Sequence, residues 1–266
     1  MELTVSIEFI EYVKLLVTFP ILLVLSIQDY KSRELDARLV YIYLVVSIVM
    51  FVLTSVFSDL VLTLKLFYVF FSIGVVGIVF YTLYRLGLIG DGDVFVAVSL
   101  GLMYTYPTTY SATLASRGIL PPPIMIILYS TLGAILLIIV NSIYVVLTSY
   151  KFVQDLPGVY RILLPLFGKP VKISDYIQGK YKHYIPLQSF ELVGGNLVVK
   201  YRVLTGIDYD IRSTLKQLVE EKFIDPEGYI WVSPGLPFIV YFFAGFILFL
   251  ILGDKPLLTL FFKVLF

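Results

Sequence analysis

The sequence contains no cysteine and a single histidine, His183, among its 266 residues. Disulfides, thiolate-bound zinc, iron–sulfur clusters and a cysteine nucleophile are therefore excluded, and a histidine-rich metal site or a Ser-His-Asp triad is disfavoured. We accordingly expect no cofactor and no metal ion. The net charge is only +1, which disfavours nucleic acid as a partner because nucleic-acid binding usually requires a basic stripe.

Charged residues are also scarce. They make up 15% of the chain, whereas hydrophobic residues make up 59% and the mean hydropathy is +0.94. An ordinary globular domain has about a quarter charged residues. A single soluble core cannot bury this much apolar surface, so the excess must face lipid. The composition predicts an all-α polytopic membrane protein with the lipid bilayer as a partner.

Six stretches are apolar enough to be predicted as membrane spans, because about 20 helical residues cross the hydrocarbon core. The fourth is short and contains Gly101. Gly74 and Gly77, in the third, are predicted to allow close helix packing. The spans are 12–28, 39–57, 66–84, 94–106, 124–148 and 236–253.

Basic residues in the connections predict the orientation. Lys31, Arg33 and Arg38 follow the first span, Arg85 follows the third, and the long segment 149–235 carries many more. Because positive loops stay in the cytoplasm, we expect a multi-pass protein of the cell membrane with its N-terminus outside and these loops inside.

The only sizeable polar region, 151–233, is predicted to be a small cytoplasmic α+β insert before the last span. Two short strands are expected within 191–200, around a Gly-Gly-Asn turn. An amphipathic helix is expected over 208–222, capped by Asp208 or Asp210 and ending before a proline. Its apolar face comprises Ile211, Leu215 and Leu218. The predicted domains are 1–150 with five helices, 151–233, and 234–266 with the last helix.

Acidic residues beside apolar spans are costly and therefore mark candidate functional sites. Asp29 ends the first span, and Asp91 and Asp93 immediately precede the fourth. With the predicted orientation, both positions lie at the cytoplasmic edge of the membrane. Two separate helices would then bring carboxyl groups to one point.

Two close carboxyl groups tend to share one proton at neutral pH. The ionised member can take a proton from water while the protonated member polarises a scissile carbonyl, which is peptide hydrolysis without metal or thiol. Gly90 and Gly92 would let a substrate backbone approach the second acid. Taken singly, the same residues are compatible with a helix cap, a turn and an interfacial aspartate.

Three ordered motifs resemble those of one family. Gly90-Asp91-Gly92-Asp93 is similar to the Gly-x-Gly-Asp signature of intramembrane aspartyl proteases, in a context like that of type IV prepilin peptidases and, more closely, archaeal preflagellin and prepilin peptidases. Asp29-Tyr-Lys-Ser-Arg33-Glu-Leu35 resembles the family's Asp-x-x-x-Arg-x-(Ile/Val/Leu) pattern. Pro234-Gly-Leu-Pro-Phe238 resembles the Pro-Gly-x-Pro-Phe start of the last helix in archaeal members.

The resemblance implies an aspartic endopeptidase that removes the short basic leader, a class III signal peptide, from archaellin or type IV pilin-like precursors at the cytoplasmic face. It implies Asp29 and Asp93 as catalytic acids, with Gly90 and Gly92 shaping the second. An acidic residue, Asp91, occupies the variable position, so whether Asp91 assists or replaces Asp93 stays open.

A transporter that uses these acids for proton or cation coupling is the alternative hypothesis. Such a protein is expected to show inverted repeats and acids near the middle of the bilayer. The sequence shows no internal repeat, and its candidate acids lie at the edge of the predicted spans. The peptidase hypothesis is therefore favoured.

Overall fold

The computed structural model describes residues 6–114, 118–202, 211–235 and 237–265. Within these ranges the chain forms two compact units. One runs to Ala134 and resumes at Pro237, and the other is Ile135–Leu236. The helices are α1 Ile7–Ser32, α2 Ala37–Phe57, α3 Leu62–Val69, α4 Val76–Arg85, α5 Asp91–Met103, α6 Pro122–Thr148, α7 Tyr150–Gln154, α8 Tyr160–Phe167, α9 Ile173–Ile177, α10 Arg212–Glu220, α11 Phe238–Leu252 and α12 Lys255–Leu265.

Four helical segments in the described chain are long and apolar enough to cross a membrane. They are α1, α2, the continuous helix Leu62–Arg85 and α6, with 26, 21, 24 and 27 residues. The protein is therefore mostly helical and is a multi-pass membrane protein. Helix α5 has 13 residues and α11 has 15, fewer than the about 20 that a perpendicular crossing needs. The six predicted spans are thus confirmed for four segments only.

Backbone constraints explain why α11 is shorter than the predicted span 236–253. Pro237 is its N-cap, and Gly253 ends it with φ 59° and an N–H that donates to Phe249 O at 2.8 Å. Leu236 lies outside the described residues. Helix α5 begins earlier than predicted, at Asp91, so both loop acids belong to its first turn.

The third long helix contains a π-helical segment, Phe70–Val75, between α3 and α4. Helix α5 crosses it closely: a Cβ added to Gly101 would lie 2.2 Å from the backbone oxygen of Ser72, whose side chain donates to Thr105 O at 3.0 Å. At Gly74 and Gly77 the nearest atoms to an added Cβ are 3.7 and 3.9 Å away. The expectation for these two glycines is therefore wrong, and the close approach occurs at Gly101.

Buried polar contacts join helix ends within the first unit, which runs to Ala134 and resumes at Pro237. Near the N-terminus of α1, Glu11 accepts hydrogen bonds from Lys14, Thr108 and Thr109 at 3.0, 2.7 and 3.0 Å. The two threonines belong to a 3₁₀ helix, Pro107–Ala112, that follows α5. The start of α1 therefore lies beside the end of α5. The opposite ends, which carry Asp29 and Asp93, consequently share the other side of the unit.

The described strands lie in the second unit and are β1 Lys169–Lys172, β2 Ile185–Pro186, β3 Gln188–Val193, β4 Asn196–Tyr201 and β5 Tyr229–Ser233. β5 lies between β1 and β2 in an antiparallel sheet, and β3 and β4 form a separate hairpin. Gly194 and Gly195 make the two-residue hairpin turn, with φ 60° and 82°, a conformation that favours glycine. This confirms the predicted hairpin.

The predicted amphipathic helix is present as α10, Arg212–Glu220. It is shorter than 208–222, because Ile211 is its N-cap and its C-cap Glu221 is followed by Lys222 at φ 63°. The proposed caps Asp208 and Asp210 lie outside the described residues. The predicted apolar face is buried and includes Ile211, Leu215 and Leu218.

Candidate active site

Asp29 lies in the last turn of α1 and is buried, with 7% of its surface exposed. The helix ends where Arg33 adopts φ 58° and its N–H donates to Asp29 O at 3.2 Å. The guanidinium of Arg33 lies 3.9 Å from Asp29 Oδ1, a long ion pair. Local helix termination therefore holds this carboxyl group inside the protein.

The start of α11 contacts the same carboxyl group. The backbone N–H of Ile239 donates to Asp29 Oδ2 at 2.9 Å, and Ser26 Oγ, one turn earlier on α1, donates to Ile239 O at 3.1 Å. The first N–H groups of any helix need acceptors from outside it. Pro237, the N-cap of α11, has no acceptor side chain, so Asp29 supplies one.

Asp93 is the third residue of α5, and its Oδ2 accepts the N–H of Gly90 at 3.0 Å. Burial raises the pKa of Asp93 from 3.8 to about 7, although the Gly90 N–H opposes this effect. The charges of Asp29 and Asp91 raise the pKa further, and that of Arg33 lowers it. Asp29 and Asp93 are thus close enough to interact electrostatically.

Asp91 differs from Asp93 in its surroundings. It is exposed to solvent, and its Oδ1 accepts a hydrogen bond from the N–H of its neighbour Gly92 at 2.8 Å. This contact is a local turn at the start of a helix. Of the two acids, Asp93 is therefore the less exposed one, and Asp91 faces solvent.

The two glycines of the loop are not equivalent. A Cβ added to Gly92 would lie 2.9 Å from Cδ1 of Leu35, so a larger residue requires the leucine side chain to shift. At Gly90 the nearest atom to such a Cβ is Asp93 Oδ2, at an ordinary 3.6 Å. Gly92 and Leu35 therefore bring the first turn of α5 into contact with the segment between α1 and α2.

Sequence reasoning identified both acids but missed two of their neighbours, Ser26 and the backbone of Ile239. The sequence did contain a signal for the contact with the Ile239 backbone. Helix α11 begins at Pro237-Phe238 without a serine, threonine, asparagine or aspartate to cap it, so its first N–H groups require an acceptor elsewhere in the fold.

No cluster of three or more histidine, aspartate or glutamate side chains suited to a metal ion occurs in the described parts of the chain. The site consists of two carboxyl groups, one guanidinium and backbone N–H donors. Paired carboxyl groups of this kind are suited to general acid–base chemistry.

Comparison with known proteins identifies the class. The family model described as the type IV leader peptidase family matches residues 16–143, and the model described as archaeal peptidase A24 C-terminus type II matches residues 160–255. Together they span most of the chain, and the first includes both candidate acids. Both matches agree with the motifs and support a membrane peptidase.

An individual relative extends the likeness over nearly the whole length. The preflagellin peptidase of Methanococcus voltae is 28% identical over 250 residues, covering 89% of this chain and 93% of that protein.

Proposed function

We propose that this protein is an aspartic endopeptidase that cleaves the short basic leader from archaellin or type IV pilin-like precursors, with Asp29 and Asp93 as its catalytic acids. The observation that carries the proposal is the pairing of two unlike carboxyl groups. Asp29 accepts the N–H of Ile239, and burial raises the pKa of Asp93 to about 7. The family assignment favours this function over the transporter alternative.

The proposed reaction uses the two acids in complementary roles. Asp29, which accepts a backbone hydrogen bond and faces Arg33, takes a proton from water, and the resulting hydroxide attacks the scissile carbonyl carbon. Asp93, protonated at neutral pH, donates its proton to the carbonyl oxygen. When the tetrahedral intermediate collapses, Asp29 returns its proton to the leaving amine and Asp93 takes one back from the hydroxyl group.

The proposed orientation of the protein determines from which side of the membrane the substrate reaches the acids. The predicted span 94–106 and helix α11 complete six crossings in this proposal, with the N-terminus outside and the acids at the cytoplasmic face. Glycines Gly90 and Gly92 leave the loop beside Asp93 without side chains that would obstruct a substrate backbone. A basic leader and the hydrophobic helix that follows it would then reach the acids from the cytoplasm.

Isosteric variants test the assignment. In Asp29→Asn and Asp93→Asn the amide oxygen can still accept the hydrogen bonds from Ile239 and Gly90, so the fold should persist. We expect cleavage of a precursor with a basic leader, measured with purified protein in detergent, to fall by about 10²–10⁴-fold in each. Asp91→Asn is the matched control.

Three results of this assay bear on the proposal. Near-normal cleavage by Asp91→Asn together with loss in the other two supports it. Retained cleavage in Asp29→Asn or Asp93→Asn rejects the proposed pair. Loss in Asp91→Asn with retention in Asp93→Asn would assign the second acid to Asp91 instead.

A further inference from the structure

Helix α8 of the second unit carries apolar residues on two sides, and only one side is packed. Tyr160 and Leu164 contact the core formed with Val153 and Trp231. Five other residues, at the spacing of a single helical face, point outward. These residues, here called the α8 stripe, are Val159, Ile162, Leu163, Leu166 and Phe167.

The α8 stripe is more exposed than an ordinary surface requires. Val159 is 59% exposed, Ile162 66% and Phe167 38%, while Leu163 and Leu166 are partly buried. Isolated apolar residues on a surface need no explanation, but a contiguous apolar face marks an interaction with a protein or a membrane.

The neighbouring part of the chain indicates that the α8 stripe contacts a membrane rather than a protein. The stripe begins shortly after α6, a candidate membrane span that ends at Thr148. Within the same unit, the second half of α6 exposes Ile139, Ile143 and Leu147 by 45%, 55% and 76%, as expected of a lipid-facing surface. Val145, near the end of α6, belongs to the same buried apolar cluster as Leu164 of α8, so α8 lies close to the end of that span.

The polar residues around this connection fit the boundary between lipid and water. Tyr150 is 58% exposed, and aromatic side chains are enriched at the level of the lipid headgroups. Lys151 and Arg161 are also exposed, and Arg161 Nε donates to Leu156 O at 2.6 Å. Basic side chains beside an apolar helical face are typical of helices that lie in the membrane surface.

We propose that α8 lies in the membrane interface with the α8 stripe inserted among the lipids, as a second membrane contact of the polar insert besides α6. The proposal does not depend on peptidase activity, so the cleavage assay and the experiment below can fail independently.

The absence of cysteine from the chain allows a direct test. Ile162→Cys and Phe167→Cys are each made in the full chain, labelled with bimane and reconstituted into nanodiscs at one copy per disc. Quenching is measured with doxyl-labelled lipid and with iodide in the water. Ile139→Cys on α6 is the lipid-exposed control, and Gln217→Cys on the exposed face of α10 is the water-exposed control.

We expect doxyl lipid to quench both stripe labels several-fold more than the label at Gln217→Cys, approaching the level at Ile139→Cys. Iodide should quench them less than it quenches the label at Gln217→Cys. Iodide quenching equal to that control, without quenching by lipid, would overturn the proposal. Protection from both quenchers would also overturn it, because protein rather than lipid would then cover the stripe.

Discussion

Raising the pH through neutrality tests the role proposed for Asp93. Burial raises the pKa of this carboxyl group from 3.8 to about 7, so the folded protein keeps it protonated below that pH and ionises it above. A general acid works only in its protonated form. Cleavage should therefore be lost as the pH rises through about 7, not as it falls.

The size of the effect follows from the titration of a single group. One pH unit below its pKa an acid is about 90% protonated, and one unit above it about 10%. Between pH 6 and pH 8, kcat/KM should thus fall about tenfold, with a further tenfold loss for each additional unit. An acid with an ordinary aspartate pKa would be ionised at both pH values.

Two neighbouring charges allow the direction of the pKa shift of Asp93 to be checked. Asp91 raises the pKa of Asp93 and Arg33 lowers it. Asp91→Asn should therefore move the midpoint of the alkaline limb to lower pH, and Arg33→Gln should move it to higher pH. Arg33→Gln also removes the ion pair with Asp29, so the position of the midpoint, rather than the maximal rate, is the quantity to compare.

The assay is the initial rate of precursor cleavage by purified protein in detergent, from about pH 5 to pH 9, at substrate concentrations well below KM so that kcat/KM is obtained. Circular dichroism at each pH excludes unfolding as the cause of a loss. A flat profile across neutrality would refute the role of Asp93, as would midpoints that move in the same direction in both variants.

Other substitutions test the fold by thermal or denaturant unfolding in detergent. Gly101→Ala should destabilise the protein by about 1–3 kcal/mol, because its Cβ would lie 2.2 Å from the backbone oxygen of Ser72. Gly74→Ala is the control and should not destabilise the protein, because the added Cβ has room. Equal effects of the two substitutions would contradict the helix crossing. Asp254→Ala should cost about 1–3 kcal/mol, because the buried carboxylate accepts two backbone N–H groups at 2.7 and 3.1 Å, and Asp254→Asn should recover part of this. Gly195→Ala, at φ 82°, should cost about 1 kcal/mol without changing cleavage, and unchanged stability would argue against the hairpin turn.

The sequence predicts well where one local pattern decides the structure. Long apolar stretches specify the four long helices because lipid-spanning backbone must satisfy its own hydrogen bonds. The Gly194-Gly195 pair specifies the hairpin turn because other residues rarely adopt positive φ. The apolar face of α10 is recognisable from its helical spacing.

Predictions were wrong where contacts between helices decide. The close helix crossing uses Gly101 rather than Gly74 or Gly77, because the path of the neighbouring backbone, including a π-helical segment, determines which glycine is approached. The predicted span 236–253 was too long for a different, local reason, since Pro237 is the N-cap of α11 and Gly253 ends the helix.

The candidate site shows the same division. Composition, the absence of cysteine, and the order of three motifs were enough to identify a membrane peptidase family and to select Asp29 and a pair of loop acids, because these features lie along the chain. The motif already favoured Asp93 over Asp91, whereas only the tertiary structure shows that Asp93 is the less exposed of the two and places the Ile239 N–H against Asp29. Burial and hydrogen bonding between residues some 210 positions apart arise when helices pack, and no local pattern encodes them.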